Sequence, residues 1–175
     1  ELPGLTVSGE RMADKAAAEQ LKEACQGVNV TIKKVECKEK SEKPPALYDL
    51  TTLQRDANRL LGFTAQQTLD YLQSLYEKKL CTYPRTDSRY LTGDMADSLP
   101  VLVNLVANAM PFRKGIAITC DPQTVINDKK VTDHHAVIPT RNLKDADLSA
   151  LPAGEKAVLE LVALRLMCAV AQPHI

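Results

Sequence analysis

The sequence predicts a mainly α-helical protein with a small β portion. Apolar residues recur at the spacing of one helix face in several stretches, and Gly or Pro follows most of them. One stretch near the N-terminus alternates apolar and polar residues, as a strand does. Of the 175 residues 45% are hydrophobic, so the chain can bury a core. A charged linker and Pro44-Pro45 predict a boundary between a segment over residues 1–44 and a helical domain over residues 45–171.

The N-terminal segment is expected to contain one helix and one strand. Residues 12–26 are rich in Ala, Lys, Glu and Gln, which predicts a helix that Gly27 ends. Residues 28–37 alternate in polarity and change phase at Lys33-Lys34, which predicts a strand with a bulge or twist there. A single strand needs partners that this segment barely supplies. We therefore expect its partner to lie outside the chain, or the strand to lie at an exposed edge.

Two helices are expected next, joined by a short turn. Thr51 or Thr52 can cap the first helix, and Gly62 can end it. A Thr-x-x-Gln capping box over residues 64–67 begins the second helix, which runs to about Lys78. Two helices with a tight Gly-containing turn predict a helix-turn-helix-like element. The second helix is expected to bury one face, formed by Ala65, Leu69, Leu72, Leu75 and Tyr76.

The C-terminal half is also expected to be helical. Residues 92–94 begin one helix, and Pro100 marks the first turn of another that runs to about Met110. Residues 111–128 are expected to be irregular. An apolar helix is expected from about residue 153 to residue 171, ended by Gln172-Pro173.

Charge and cysteine usage limit the classes of function. The chain has 22 basic and 22 acidic residues, so no net charge attracts nucleic acid and DNA binding would depend on a local patch. The one such patch carries Lys78, Lys79, Arg85 and Arg89 against Asp87. Five scattered cysteines without a Cys-x-x-Cys pair argue against structural zinc and favour reduced thiols in the cytoplasm.

The chain is not expected to associate with a membrane, because no apolar run is long enough to span a bilayer. It begins with Glu1 rather than methionine, which suggests a piece of a longer protein. Gly4 and Gly9 have the spacing of a nucleotide-binding P-loop, but Glu10 stands where that loop needs a lysine.

Residues 82–91 read Thr-Tyr-Pro-Arg-Thr-Asp-Ser-Arg-Tyr-Leu and carry the most distinctive chemistry. Pro84 favours an extended conformation for Tyr83. In an extended segment Tyr83, Arg85 and Asp87 point to the same side. A guanidinium beside a phenol favours the phenolate and can also bind a phosphate. This combination indicates covalent catalysis by tyrosine on a phosphodiester, although a plain strand-to-loop transition would use similar residues.

A second cluster reads Asp-His-His-Ala-Val-Ile-Pro-Thr over residues 133–140. His134 and His135 are two of the three histidines in the chain. They could be ordinary loop residues, ligands of a metal, or groups that assist phosphoryl transfer by contacting the phosphate or shuttling a proton.

Both clusters resemble motifs of the type IA DNA topoisomerases, specifically the topoisomerase III branch. Residues 82–91 resemble the active-site tyrosine motif, and residues 133–140 are similar to the second motif, about fifty residues later as in that family. The resemblance implies that residues 45–171 form the helical tyrosine-bearing domain. It also implies that residues 1–44 are part of a strand-rich arch domain, and that residues 172–175 begin the return to that arch.

The resemblance further implies a role for each matching residue. Tyr83 would be the nucleophile, Arg85 would stabilise phosphate charge or the phenolate, and His134 would contact the scissile phosphate. Supporting roles in orientation and hydrogen bonding fall to Thr86, Asp87 and His135. Backbone phosphates of DNA would be bound by Lys79 and Arg89.

Members of this family cleave single-stranded DNA through a 5′-phosphotyrosine intermediate, pass a strand and reseal the break without ATP. The resemblance therefore implies single-stranded DNA as partner. It also implies Mg²⁺, held by an N-terminal domain of the same protein that precedes this region, and no metal ligand in this chain. The isolated chain is expected to be incompletely active, and an oligomer is not expected.

Three alternatives remain open at this stage. A non-enzymatic helix-turn-helix module would bind DNA without using Tyr83. A tyrosine recombinase also uses Tyr, Arg and His but forms a 3′ linkage. An Asp-His-His metal phosphoesterase would need further Asp and His ligands, and no second cluster with suitable spacing is present.

Overall fold

The structure, a computed structural model, describes residues 14–29, 31–32, 34–110 and 119–173. The chain divides into two compact units, Glu1–Glu39 and Lys40–Ile175. This division lies a few residues before Pro44-Pro45, where the sequence suggested a boundary. The assignment of residues 1–44 to an arch domain and of residues 172–175 to its return remains a prediction.

The first unit contains helix α1, Lys15–Cys25. The side chain of Asp14 caps it by accepting a hydrogen bond from the Ala16 N–H at 2.9 Å. Gly27 follows the helix with φ of 73°, so the predicted helix and its glycine stop are confirmed. None of the residues of α1 is buried. Met12, where the predicted helix begins, lies outside the described residues.

The predicted strand over residues 28–37 is wrong for those of its residues that the structure describes, because none of them is assigned to a strand. Their apolar side chains face solvent: Val28 is 56% exposed, Ile32 76% and Val35 82%. Alternating polarity makes a strand possible, but the backbone must also pair with a neighbour. The described part of this unit supplies none.

The second unit begins with α2, Leu50–Leu61, and α3, Ala65–Glu77. Asp49 caps α2, so the predicted Thr51 or Thr52 cap is wrong. Thr52 is instead the third residue of a capping box, in which its N–H donates to Asp49 Oδ1 at 2.6 Å. The carboxylate one turn earlier is the better acceptor for the free N–H groups of the first turn. The predicted end at Gly62, with φ of 71°, is confirmed.

The capping box of α3 is confirmed, since the Gln67 N–H donates to Thr64 Oγ1 at 3.1 Å and the Thr64 N–H donates to Gln67 Oε1 at 2.9 Å. The predicted buried face is partly wrong. The buried residues of α3 are Thr68, Leu72 and Leu75, whereas Ala65 and Tyr76 are exposed.

Two further α-helices follow in the described part of the second unit. A short 3-10 helix, Gly93–Ser98, precedes α4, Leu99–Ala109, which has Pro100 in its first turn as predicted. The C-terminal helix α5 spans Ala153–Ala169. Further 3-10 turns occur at Pro122–Thr124, Asp128–Lys130 and Arg141–Asp145. Among the described residues, no helix combines the length and apolar character needed to cross a bilayer.

The core forms where α3, α2 and α4 pack against α5. Gly154, at the start of α5, packs against the Tyr71 ring. A larger residue would not fit there, since its Cβ would lie 2.4 Å from the ring. Buried Glu155 accepts a hydrogen bond from Ser74 Oγ at 2.9 Å and forms an ion pair with Lys78. Close packing and a satisfied buried carboxylate therefore join α3 to α5.

Within the described residues, the β structure consists of isolated bridges rather than a sheet. Tyr48 pairs with Val137 and Cys81 with Pro139, both antiparallel, while Leu91 pairs with Ile126 in parallel. The fold is thus mainly helical with little β structure, as the sequence predicted. The Cys81–Pro139 bridge joins the residue before the tyrosine segment, residues 82–91, to the histidine segment, residues 133–140.

Candidate active site

The tyrosine segment is placed by a sharp reversal after α3. Lys79 adopts a left-handed conformation with φ of 59°, and its N–H donates to the Tyr76 carbonyl at 2.8 Å. The Leu80 N–H returns to the Leu75 carbonyl at 2.8 Å. The Lys79 carbonyl accepts from Asn142 Nδ2 at 3.1 Å. A rigid helix end and a bonded turn therefore hold the residues before Tyr83.

The segment that follows lies outside any helix and has two faces. Pro84, Thr86 and Ser88 are buried, whereas Arg85 and Asp87 are exposed. Tyr83, on the same face as Arg85 and Asp87, is partly exposed. This alternation matches the arrangement expected from an extended conformation.

The buried face ties this segment to residues far along the chain. Thr86 Oγ1 donates to the His134 carbonyl at 3.0 Å, and Ser88 Oγ donates to the Lys130 carbonyl at 2.9 Å. The Thr82 N–H donates to the Ile138 carbonyl at 2.9 Å. Thr86 thus lies inside and holds the histidine segment in place, a contact that the two motifs alone did not reveal.

The side chains of Tyr83 and His134 meet. Their ring centroids are 4.2 Å apart, with the planes tilted by 36°. A second aromatic ring, from Tyr76 at the end of α3, lies 5.5 Å from that of Tyr83 at an angle of 83°. Two predicted site residues from separate motifs are therefore adjacent, beside a third residue that the sequence analysis placed in the core.

Arg85 is held from α3. Its Nη1 donates to Gln73 Oε1 at 3.4 Å, and Gln73 Nε2 donates to Glu77 Oε1 at 3.0 Å. Gln73, Tyr76 and Glu77 share one face of the helix, since their spacing is three and four residues. Sequence reasoning missed this face; its signal was a set of polar and aromatic residues at helical spacing just before a chain reversal.

His135 is oriented differently from His134. Its Nδ1 lies 2.8 Å from the Ala136 carbonyl, which can only accept, so Nδ1 carries a proton. His134 is exposed and His135 is half-buried. Within the described part of the chain, no three His, Cys, Asp or Glu side chains lie close enough together to hold a metal ion. The Asp133-His134-His135 run therefore does not present the ligand set of a metal phosphoesterase.

The predicted basic patch is smaller than the sequence suggests. Lys78 pairs with Glu155, and Arg89 is half-buried with its Nε donating to the Leu47 carbonyl at 3.1 Å. Lys79 is exposed. Lys130, whose carbonyl accepts the hydrogen bond from Ser88, is a further lysine near this segment. Its Nζ lies 4.8 Å from the centroid of the Tyr90 ring. Among the described residues, neither Arg89 nor Lys79 forms a hydrogen bond with Tyr83.

The α2–α3 pair has little of the charge expected of a DNA-reading element. Helix α3 contains Asp70 and Glu77 but neither Lys nor Arg between Ala65 and Glu77. Its buried residues pack into the core of the domain. A helix that enters the groove of DNA needs positive charge to approach the phosphates. We therefore interpret α2 and α3 as a scaffold that supports the tyrosine segment.

A second cluster of the same residue types lies away from these rings. Tyr48 Oη donates to Asp56 Oδ2 at 2.8 Å, and Arg165 Nη2 donates to Tyr48 Oη at 2.9 Å and also pairs with Asp56. The guanidinium carbon of Arg165 lies 4.2 Å from the centroid of the Tyr48 ring. The Leu47 carbonyl accepts a hydrogen bond from Arg89 Nε, and the Tyr48 carbonyl accepts one from the Val137 N–H. This cluster therefore supports the segment on which the candidate site is built.

The cluster shifts the pKa values of its members. Burial is the main cause that raises the pKa of Tyr48, with Asp56 adding to the effect and Arg165 opposing it. Burial would also raise the pKa of Asp56, but the hydrogen bond from Tyr48 and the charges of Arg165 and Arg59 together hold that pKa below its ordinary value. Nearby, burial raises the pKa of the Cys81 thiol to about 12. That thiol therefore stays protonated and serves as a small core residue.

A sequence model of DNA topoisomerases matches residues 4–175. The chain belongs to the DNA topoisomerase family. Among curated relatives, a DNA topoisomerase 3 from Shouchella clausii is 41% identical over 165 residues, covering 90% of this chain and 22% of the relative. A DNA topoisomerase 3 from Bacillus licheniformis is 38% identical over 174 residues, covering 95% of this chain and 23% of the relative.

The fold is also that of a topoisomerase. The structure of full-length topoisomerase I from Thermotoga maritima superposes with a TM-score of 0.66 at 24% identity, covering 96% of this chain and 27% of that one. The assignment to the type IA family and its topoisomerase III branch is thus confirmed. This chain spans less than a quarter of the length of each of the two curated relatives.

Proposed function

We propose that this chain is the tyrosine-bearing part of a type IA topoisomerase that cleaves single-stranded DNA, passes a strand through the break and reseals it without ATP. One observation carries the proposal: the ring of Tyr83 lies 4.2 Å from that of His134, so two motifs distant in sequence converge. Together with exposed Arg85, they present a nucleophile, a possible proton carrier and a cation on one accessible surface.

In the proposed reaction Tyr83 Oη attacks the phosphorus of a phosphodiester. A bond forms between Oη and phosphorus as the bond from phosphorus to the 3′ oxygen breaks. The phenolic proton leaves, and the departing oxygen gains a proton to become a 3′-hydroxyl. In resealing, the 3′-hydroxyl attacks the 5′-phosphotyrosine and Tyr83 leaves with a proton. One phosphoester bond is exchanged for another, so no nucleotide needs to be hydrolysed.

The other residues have roles that suit this reaction. Arg85 would stabilise the charge that develops on the phosphoryl oxygens, where a fixed guanidinium is effective. His134 would contact the phosphate or move the proton of the tyrosine. Asp87 lies on the exposed face with Arg85, and Thr86 holds the carbonyl of His134 from beneath. His135 would help to orient the histidine segment. Lys79 and Arg89 would bind phosphates of the DNA backbone.

Magnesium belongs to this proposal only as a partner of the parent protein. The described residues of this chain offer no group of ligands for it, so we route no step of the reaction through it. We propose that another domain of the parent protein holds Mg²⁺ and docks over Tyr83. We also propose single-stranded DNA as the substrate and the cytoplasm as the location, which suits five free cysteines.

Covalent capture tests the proposal. The parent protein that carries this chain is mixed with single-stranded DNA labelled at its 3′ end, the mixture is denatured, and the label on protein is measured. We expect labelled protein from the wild type, none from Tyr83→Phe, and near-normal labelling from Tyr90→Phe as the matched control. Label must reach protein from the 3′ end because the downstream fragment keeps the 5′ phosphate.

Three results would count against the proposal. Equal labelling of Tyr83→Phe and wild type would remove Tyr83 as nucleophile. Protein labelled only from 5′-labelled DNA would mean a 3′ linkage, as a tyrosine recombinase forms. DNA binding without any covalent adduct in the presence of Mg²⁺ would leave a binding module as the better description.

A further inference from the structure

Tyr76 contacts the proposed nucleophile, although it belongs to neither motif. The ring centroids of Tyr76 and Tyr83 are 5.5 Å apart and the planes meet at 83°. This is an edge-to-face contact, within the range of about 4.5–7 Å at which such pairs attract each other. His134 supplies a second aromatic contact at 4.2 Å. The ring of Tyr83 therefore has aromatic neighbours from two separate segments.

Tyr76 has no evident duty in the core. It is 40% exposed, and the buried residues of α3 are Thr68, Leu72 and Leu75. A half-exposed tyrosine on a helix surface can be replaced without opening a cavity. Its ring contacts the ring of Tyr83, so we expect its contribution to fall on the site more than on folding.

The register of the chain reversal explains why Tyr76 faces Tyr83. The chain turns back at Lys79, and residues at similar distances before and after the turn meet. Tyr76 thus meets Tyr83, and Gln73 one turn earlier meets Arg85, two residues further on. One face of α3, a rigid element, therefore contacts both the proposed nucleophile and the proposed phosphate-binding cation.

We propose that Tyr76 is a positioning residue that restricts the ring of Tyr83 for attack on the phosphate, an inference that rests on the proposed function. A tyrosine side chain has several rotamers, and Tyr83 is only partly buried. In-line attack needs Oη within reach of the phosphorus in one orientation. A ring fixed on α3 and the ring of His134 together remove orientations in which Oη points away.

An exposed tyrosine beside a DNA-cleaving residue could also stack on a nucleobase. The two roles differ in what they act on. Base stacking acts on DNA affinity, whereas positioning acts on the rate of the chemical step with DNA already bound. The observed contact joins Tyr76 to Tyr83 within the protein, which favours positioning.

The test uses the parent protein with Tyr76→Leu, and Tyr76→Phe as the matched variant that keeps the ring. Single-turnover formation of the covalent adduct is measured at saturating single-stranded DNA. DNA affinity is measured separately by fluorescence anisotropy in a Tyr83→Phe background, where no cleavage occurs. We expect Tyr76→Leu to slow adduct formation about 10- to 100-fold, as a misplaced reacting group does. In the Tyr83→Phe background, Tyr76→Leu should change the Kd by less than about threefold. Tyr76→Phe should retain most of the rate.

A second measurement does not depend on cleavage. With 3-fluorotyrosine placed at position 83, the ¹⁹F resonance reports the surroundings of that ring. We expect Tyr76→Leu to shift and broaden the resonance, and Tyr76→Phe to leave it close to wild type. If Tyr83 proves not to be the nucleophile, this measurement still tells whether Tyr76 restricts its ring.

Three results would overturn the inference. Weaker DNA binding by Tyr76→Leu with a normal rate at saturation would make Tyr76 a base-stacking residue. Normal rate and affinity would mean that the contact is incidental. An unchanged ¹⁹F resonance in Tyr76→Leu would show that the ring of Tyr83 is restrained by other residues.

Discussion

The domain contains a tyrosine, an arginine and an aspartate in two places, with opposite arrangements. In the cluster of Tyr48, Asp56 and Arg165, each polar group bonds another member, and the side chains of Asp56 and Arg165 are only 17% and 20% exposed. Around Tyr83, the exposed side chains of Arg85 and Asp87 make no ion pair with each other.

This difference shows that residue type does not distinguish a supporting cluster from a reactive one. In the first cluster the hydrogen-bonding capacity of the phenol and the carboxylate is used within the protein, which stabilises the fold. In the second, the phenol is partly exposed and the guanidinium is exposed with one hydrogen bond to Gln73, so both can still reach a phosphate. The predictions below ask whether activity and stability divide between the clusters in this way.

The largest effect is expected from Arg85→Leu. The rate of adduct formation should fall about 100- to 1000-fold, because a fixed donor to the developing phosphoryl charge is lost. The opening free energy of α2 and α5, measured by hydrogen exchange, should change by less than about 0.5 kcal/mol, since Arg85 is exposed. A large loss of protection with normal cleavage would reverse the roles of the two clusters.

Arg165→Leu should do the opposite. Removing its guanidinium leaves buried Tyr48 and half-buried Asp56 without their cation, which should lower the opening free energy of α2 and α5 by about 1–3 kcal/mol. The matched control is Arg59→Leu, because Arg59 bonds the same aspartate from a 68% exposed position. That variant should cost less than about 1 kcal/mol. Equal losses from both would contradict the importance of burial.

Tyr48→Phe sharpens the comparison by removing one hydroxyl and keeping the ring. Asp56 loses a donor while Arg165 keeps its contact with the aromatic face, so hydrogen-exchange protection of α2 should fall by about 1 kcal/mol. Tyr83→Phe should leave that protection unchanged, because no hydrogen bond of the Tyr83 hydroxyl supports α2. If both substitutions destabilise α2 alike, the two tyrosines are not functionally distinct.

The smallest effect concerns acid. The pKa of Asp56 lies below its ordinary value of 3.8 in the folded protein, so its ion pair stabilises the fold above about that pH and is lost as the pH falls through the folded value. We expect Tm to decrease on acidification from pH 6 to pH 3, and to decrease less in Asp56→Asn. An identical acid response in the two proteins would show that other carboxylates control it.

Much of the fold followed from local sequence. Helices α1 to α5, the glycine ends at Gly27 and Gly62, and the capping box of Thr64 and Gln67 depend on interactions within a few residues, which a sequence displays directly. The errors have the same origin. The strand over residues 28–37 needed a partner, and Asp49 replaced the expected threonine cap because both residue types suit that position.

The candidate site was only partly visible in the sequence. The alternation of exposed and buried residues after Tyr83 followed from an extended backbone. Tyr76 was assigned to the core because an aromatic residue beside Leu75 fits an apolar helix face. Its exposure and its contact with Tyr83 depend on where the chain turns after α3, which helical periodicity does not specify.

The sequence by itself determined the helices, the glycine ends of α1 and α2, and the residue types that the tyrosine and histidine motifs contain. The helices and these ends rest on short-range preferences, which a sequence displays directly. Only the tertiary structure decided which groups are used internally and which remain free. Lys78 meets Glu155 across 77 residues and Arg165 meets Asp56 across 109, whereas Tyr83 meets His134 with its neighbour Arg85 still exposed. Such pairings depend on how helices pack around a common core, and residues far apart in sequence acquire their partners only there.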